Sequence, residues 1–103
     1  MRKFCFASLF GLALAAAFSA PVLAADVAQG EVIAKRWCAT CHVVAPDQKQ
    51  ASVDVSTFAD AARRKSDPEL AAFLTDPHPK MPDLHLSRSD IANLVAYMRS
   101  LNP

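Results

Sequence analysis

The sequence predicts a small, single-domain, all-α protein. Its 103 residues allow one core, at roughly 100 to 200 residues per domain. Its strongest apolar period, Ile91, Leu94, Val95, Met98 and Leu101, has the three-to-four spacing of one helical face. No stretch alternates apolar and polar residues as a half-buried strand does.

The first element is an export signal. Met1-Arg2-Lys3 is a short positive region, residues 4–18 are apolar, and Val22-Leu23-Ala24 ahead of Ala25 puts small residues where signal peptidase cuts. The uncharged run approaches the ~20 residues that a bilayer span needs, so a retained membrane anchor is the competing reading. Pro21 and the alanine-rich end weigh against it. Cys5 lies before the apolar region, whereas a lipoprotein cysteine follows it. Cleavage after Ala24 leaves residues 25–103 as the domain, with nine Lys and Arg against ten Asp and Glu. A net charge near −1, no basic run longer than Arg63-Arg64-Lys65 and few aromatics exclude nucleic acid as the main partner. Export places the domain in an oxidising space, the bacterial periplasm, where two cysteines pair unless other chemistry uses them.

Within the domain, Asp26 caps a helix over about residues 27–36, with Gln29 in the capping-box position and Val27, Ile33, Ala34 and Trp37 on the apolar side. Residues 47–56 are polar and aperiodic, and read as a loop. Thr57 with Asp60 opens a short second helix. Asp67 opens a third over about residues 68–75, because Pro68 at a first helical position sacrifices no needed hydrogen bond. Pro77, Pro79 and Pro82 then forbid a continuing helix and stiffen an extended loop over residues 76–86. Ser87 caps the last helix. There is no internal repeat.

A domain of 79 residues needs a staple, since below about 80 residues a hydrophobic core alone rarely suffices. The candidate is Cys38-Ala39-Thr40-Cys41-His42. Covalent haem attachment requires two thiols that add across two vinyl groups on one side of the porphyrin, and an imidazole that then falls beneath the iron. Two intervening residues and an immediately following histidine meet both requirements. A structural disulfide leaves His42 without a role, a thioredoxin-like pair needs a βαβ context, and zinc needs a second ligand pair. The sequence therefore points to one covalently bound haem c, with Cys38 and Cys41 as attachment points and His42 as the proximal iron ligand.

On these residues the domain resembles the class I c-type cytochromes over nearly all of its length. The matching residues are Gly30, Cys38, Cys41, His42, the Lys80-Met81-Pro82 loop, and Leu94 with Tyr97. Small bacterial members are the most similar, through His78-Pro79-Lys80-Met81-Pro82. The resemblance implies a small cytochrome c fold of several helices around the haem, with Gly30 letting the first and last helices cross near Tyr97. It also implies a loop proline whose carbonyl accepts a hydrogen bond from the proximal histidine, and here that stretch reads Val55-Ser56-Thr57. A looser loop around His42 is expected.

The sixth ligand is sought among Met81, Met98, His78 and His85. Met98 falls on the core stripe of the last helix, where methionine packs. His78 and His85 flank the same loop as Met81, so reach alone does not exclude them. Met81 is favoured by the prolines that stiffen its loop and by the resemblance. Trp37 is expected to pack near the haem, and Lys80, Lys35 and Lys49 are candidates for framing an exposed haem edge.

Iron closed by one histidine and one methionine has no site for substrate, so the expected role is a one-electron carrier of positive potential, not an enzyme. Expected partners are redox proteins: a quinol-oxidising complex or dehydrogenase as donor, an oxidase or photosynthetic reaction centre as acceptor. The domain is expected to be a monomer that meets the membrane only through those complexes. The alternatives are a permanent haem subunit of a periplasmic dehydrogenase, and a peroxidase or gas sensor with a labile sixth ligand.

Overall fold

The computed structural model describes Gly11, residues 24–77 and residues 80–102. Apart from Gly11 and Ala24, the expected signal segment lies outside the described residues, as does His78. Among them are four α-helices and no strand: α1 (Val27–Ile33), α2 (Phe58–Arg64), α3 (Asp67–Thr75) and α4 (Arg88–Ser100). This is the small all-α architecture that the sequence predicts.

The core is built on the crossing of α1 over α4. A Cβ on Gly30 would stand 2.0 Å from the Asn93 carbonyl oxygen and 2.8 Å from Tyr97 Cβ, so only hydrogen fits there. The expected capping box of α1 is half made. The Asp26 carboxylate accepts from the Gln29 N–H at 3.1 Å. The Asp26 N–H, however, donates to Asn93 Oδ1 at 2.8 Å, so the second half of the cap comes from α4 in place of Gln29. The buried side of α1 also differs from the expected one. Gly30 and Ile33 are buried, followed by Ala34 and Cys38 in the next turn, whereas Val27 and Trp37 are 42% and 55% exposed. Val27 is the first residue of the helix, ahead of the crossing, and Trp37 turns to the rim of a cavity described below.

α4 starts at a complete capping box, Ser87 with Asp90, and buries Leu94, Val95, Tyr97 and Met98. Leu94 and Val44 are the largest side chains fully removed from solvent. Tyr97 Oη donates to the Val44 carbonyl at 2.5 Å, fastening the chain beyond the cysteines to α4.

α2 begins at Thr57, as expected, whose hydroxyl accepts from the Asp60 N–H. α3 is capped one residue earlier than expected. Ser66, not Asp67, is the N-cap, in a box with Glu69 whose carboxylate is held below its ordinary value by those hydrogen bonds. Ser66-Asp67-Pro68-Glu69 carries that signature, and the box outweighs Asp67 because it satisfies two orphan N–H groups at once. Arg99 of α4 closes the corner between α2 and α3, binding Asp67 and the carbonyls of Ala62 and Lys65.

Candidate functional site

The first helix does not stop at Arg36, as its sequence suggests, but widens into a π-helical turn over Ala34–Cys38. Ala39 N–H bonds to the Ala34 carbonyl five residues back, at 3.1 Å. Such widened turns recur at functional sites because they re-aim a side chain without ending the helix. Here the turn leaves Cys38 buried and Cys41 exposed, with no disulfide between them. The N–H groups of Cys41 and His42 then share the Cys38 carbonyl, at 3.1 and 2.9 Å, which folds the motif back on itself. Burial, with a smaller contribution from Cys41, pushes the Cys38 thiol up to about 11. A thiol so held is neutral near pH 7 and a poor partner in disulfide exchange.

His42 Nδ1 lies 2.6 Å from the Ser56 carbonyl oxygen. A carbonyl only accepts, so Nδ1 is the donor here, which leaves Nε2 as the nitrogen able to meet a metal. Serine therefore supplies the acceptor where proline is usual. The loop is not slack either. Phe58 N–H donates to the Val43 carbonyl, and Ser52 donates from both backbone and side chain to the Thr40 carbonyl. Gln48, which the sequence reading passed over as loop, is the hub. Its Oε1 accepts from the Val44 N–H at 2.9 Å, and its Nε2 shares its protons among the carbonyls of Ala39, His42 and Gln50. The Phe58 ring stands 5.5 Å from the imidazole, tilted by 51°. No local pattern marks a glutamine that closes a loop over itself; Phe58, the first residue after the Thr57 cap, is signalled only as core.

These groups open on a cavity of about 760 Å³, inside the roughly 300–1,000 Å³ of small-molecule sites. Cys38, Cys41 and His42 line it, as do Phe58 and Ala61 of α2, Leu70, Phe73 and Leu74 of α3, and Met81, Pro82 and Leu84 of the proline-rich loop. Of six exposed large hydrophobic residues among the described residues, Trp37, Val53, Val55 and Phe73 all face this one space, which suits a broad apolar ligand. A second, shallower space of about 320 Å³ beside Val43 and residues 50–55 contains none of the candidate ligands.

Of the sequence-predicted residues, the fold brings Cys38, Cys41, His42, Met81, Met98, Trp37 and Lys80 to the cavity. Met98 is buried on the core stripe of α4, and Met81 is half-buried. His85 lies outside it, with its side chain 88% exposed and turned to Asp83 in a left-handed backbone conformation. Lys35 and Lys49 lie outside it too, and Lys35 is paired with Glu31 at 2.7 Å, which raises its pKa. Among the described residues no group of three or more His, Cys, Asp or Glu gathers, so the zinc alternative has no second ligand pair.

Two unpaired thiols, an imidazole with one nitrogen committed and the other available, and a thioether reaching the same apolar cleft are the donor set of covalently held haem. With crossed terminal helices around it, this defines a c-type cytochrome. Residues 25–98 match the family described as cytochrome c oxidase, cbb3-type, subunit III. The chain is also 53% identical over 90 residues to cytochrome c-552 of Bradyrhizobium diazoefficiens, covering 85% of this chain and 86% of that protein. No solved structure matches the chain. The chain belongs to the c-type cytochromes; its cofactor is covalently bound haem c, and its chemistry is electron transfer, in a family generally made of carriers and not enzymes.

Proposed function

We propose that Cys38 and Cys41 carry the thioether bonds of one haem c, that His42 Nε2 and Met81 Sδ would hold its iron, and that residues 25–103 act as a monomeric one-electron carrier in the periplasm after removal of residues 1–24. The observation that carries this reading is the His42 Nδ1–H bond to the Ser56 carbonyl, in a ring that lines the same cleft as Met81. The haem supplies a one-electron iron couple. His42 holds one proton on Nδ1 throughout, so its ligating nitrogen is the same in both oxidation states. The Met81 thioether favours ferrous iron and gives a positive potential, and Leu70, Phe58 and Met98 exclude water around the site. With His42 and Met81 both committed to holding the iron, no position on it would be left for a substrate. The donor is a quinol-oxidising complex or a periplasmic dehydrogenase, and the acceptor an oxidase or a photosynthetic reaction centre.

Among the described residues no helix is long and apolar enough to cross a membrane. A second reading, a permanent haem subunit of a larger enzyme, is favoured by the description of the matching family as an oxidase subunit. Purification from the native source separates them: a free carrier elutes alone at the mass of residues 25–103 plus haem.

The ligand test is spectroscopic. The oxidised protein should show the far-red charge-transfer band of methionine ligation. Met81→Ala should abolish it, lower the potential and admit carbon monoxide to the reduced iron, while Met98→Leu should spare it. An unchanged band and potential in Met81→Ala would sink the assignment and return the choice to His78, His85 or Met98.

A further inference from the structure

Among the described residues, the charged side chains lining the cleft are Arg64, Lys65 and Lys80 against a single acid, Asp54. In residues 25–103 as a whole acids outnumber bases, so the cleft has gathered positive charge. All three cations are exposed at the rim of the cleft, where an anionic group of a bound ligand would meet them.

Lys65 is held from several directions. Its N–H donates to the Ala61 carbonyl at 3.0 Å, and its own carbonyl accepts from Arg99. Its ammonium stands 5.5 Å from the centroid of the Phe73 ring. The backbone is therefore fixed at the corner between α2 and α3, while the charge is seated on an aromatic face in the wall of the cleft. The residues around α2 that reach the cleft are Phe58, Ala61, Arg64 and Lys65. Phe58 packs on the His42 ring, and at ~1.5 Å per residue Lys65 lies about 10 Å farther along. That is about the reach from the centre of a porphyrin to the carboxylates at its edge.

Haem bears two propionate carboxylates, and a carboxylate at an apolar wall stays ionised only beside a cation or donors. We propose that Lys65, seated on Phe73, is the counter-cation of a haem propionate. The proposal rests on the placement of haem at Cys38, Cys41 and His42. Lys65 then anchors the edge of the ring away from the thioethers, and keeps the charge near the iron constant as pH varies. Without it the carboxylate holds its proton to higher pH, and the potential falls with rising pH through that titration.

The test compares four holoproteins: wild type, Lys65→Met, Lys65→Arg and Arg64→Gln. Methionine keeps the stem on Phe73 and removes only the charge. Haem attachment is checked first by pyridine haemochrome spectra and the mass of the haem peptide. Wild-type protein without haem on Cys38 and Cys41 overturns the underlying placement. With haem in place, the midpoint potential and the haem-methyl proton resonances are followed from acid to neutral pH. Lys65→Met should move the carboxylate titration upward by about one pH unit, with Lys65→Arg and Arg64→Gln close to wild type. A Lys65→Met curve that superimposes on wild type, or the same shift produced by Arg64→Gln in its place, overturns the proposal while leaving the haem placement intact.

Discussion

The two sides of the haem cleft are held by different physics. On the His42 side, bonds run between distant parts of the chain: Asp26 to Asn93, Tyr97 to Val44, His42 to Ser56, Ser52 to Thr40, and Gln48 to the carbonyls around the motif. On the Met81 side the sequence carries Pro77, Pro79 and Pro82, and among the described residues the bond from the His85 N–H to Asp83 spans only two residues. His42 is fixed by a network that forms only on folding; Met81 stands in a segment whose prolines already lower its freedom in the unfolded chain. If His42 and Met81 hold the iron as proposed, such a division keeps one ligand rigid and leaves the other on the less stable element.

The sharpest way to break this arrangement is at the crossing that supports the first side. Gly30→Ala places a Cβ 2.0 Å from the Asn93 carbonyl oxygen, so α1 and α4 must separate. The expected loss is about 3 kcal/mol or more in the denaturant stability of the holoprotein. Helix propensity alone predicts the opposite sign, a gain of about 1 kcal/mol. A stabilised variant would mean that the crossing is not close in solution.

The second prediction sets the two ligands against each other. In the oxidised holoprotein, the methionine charge-transfer band should disappear at a lower guanidinium concentration than helical circular dichroism. Local release of the Met81 loop should cost about 2 kcal/mol less than global unfolding. Coincident transitions would show that the proline-rich loop is as firmly held as the His42 side.

The same contrast explains what was legible in the sequence. The Met81 loop was readable because its restraint is local, since prolines act where they stand. The caps of α2 and α4, the α4 stripe and the haem motif were readable for the same reason. What escaped was tertiary. Asn93 takes a cap that Gln29 was expected to complete, and Gln48 organises a loop through carbonyls that no spacing foretells. Trp37 lines the cleft, in keeping with its expected place near the haem, but it is exposed and not on the packed side of α1, because the π turn rotates the end of the helix. Ser66 differs from these, because its box with Glu69 is local and carried by the sequence itself, one residue ahead of the Asp67-Pro68 pair that also signals a helix start.

A smaller effect is expected at Tyr97. Tyr97→Phe leaves the Val44 carbonyl, in a residue only 1% exposed, without its donor, and should cost about 1–2 kcal/mol. Burial raises the Tyr97 pKa, so folding favours the protonated phenol. That stability is complete below the ordinary tyrosine value of about 10 and is lost as pH rises through the folded one. Thermal unfolding across alkaline pH should therefore fall less steeply in Tyr97→Phe than in wild type. Equal slopes would indicate that the hydroxyl is hydrated and the fastening of residue 44 to α4 is looser than the 2.5 Å bond implies.

The smallest effect tests whether the His42 side gains anything from the device used on the Met81 side. Ser56→Pro places a proline where the family usually has one, and the carbonyl that accepts from His42 Nδ1 is retained by the substitution. Among the described residues nothing accepts from the Ser56 N–H, so removing it breaks no bond. If Ser52, Phe58 and Gln48 already immobilise the loop, proline can act only on the unfolded chain. Stability should then rise by about 0.4–1 kcal/mol while the midpoint potential and the charge-transfer band stay where they were. If the loop is slack in the native state, proline changes the folded protein itself, the imidazole reorients, and the potential moves together with the stability. Denaturation and potentiometry on the same variant distinguish the two, because restriction of the unfolded chain has no means of reaching the iron.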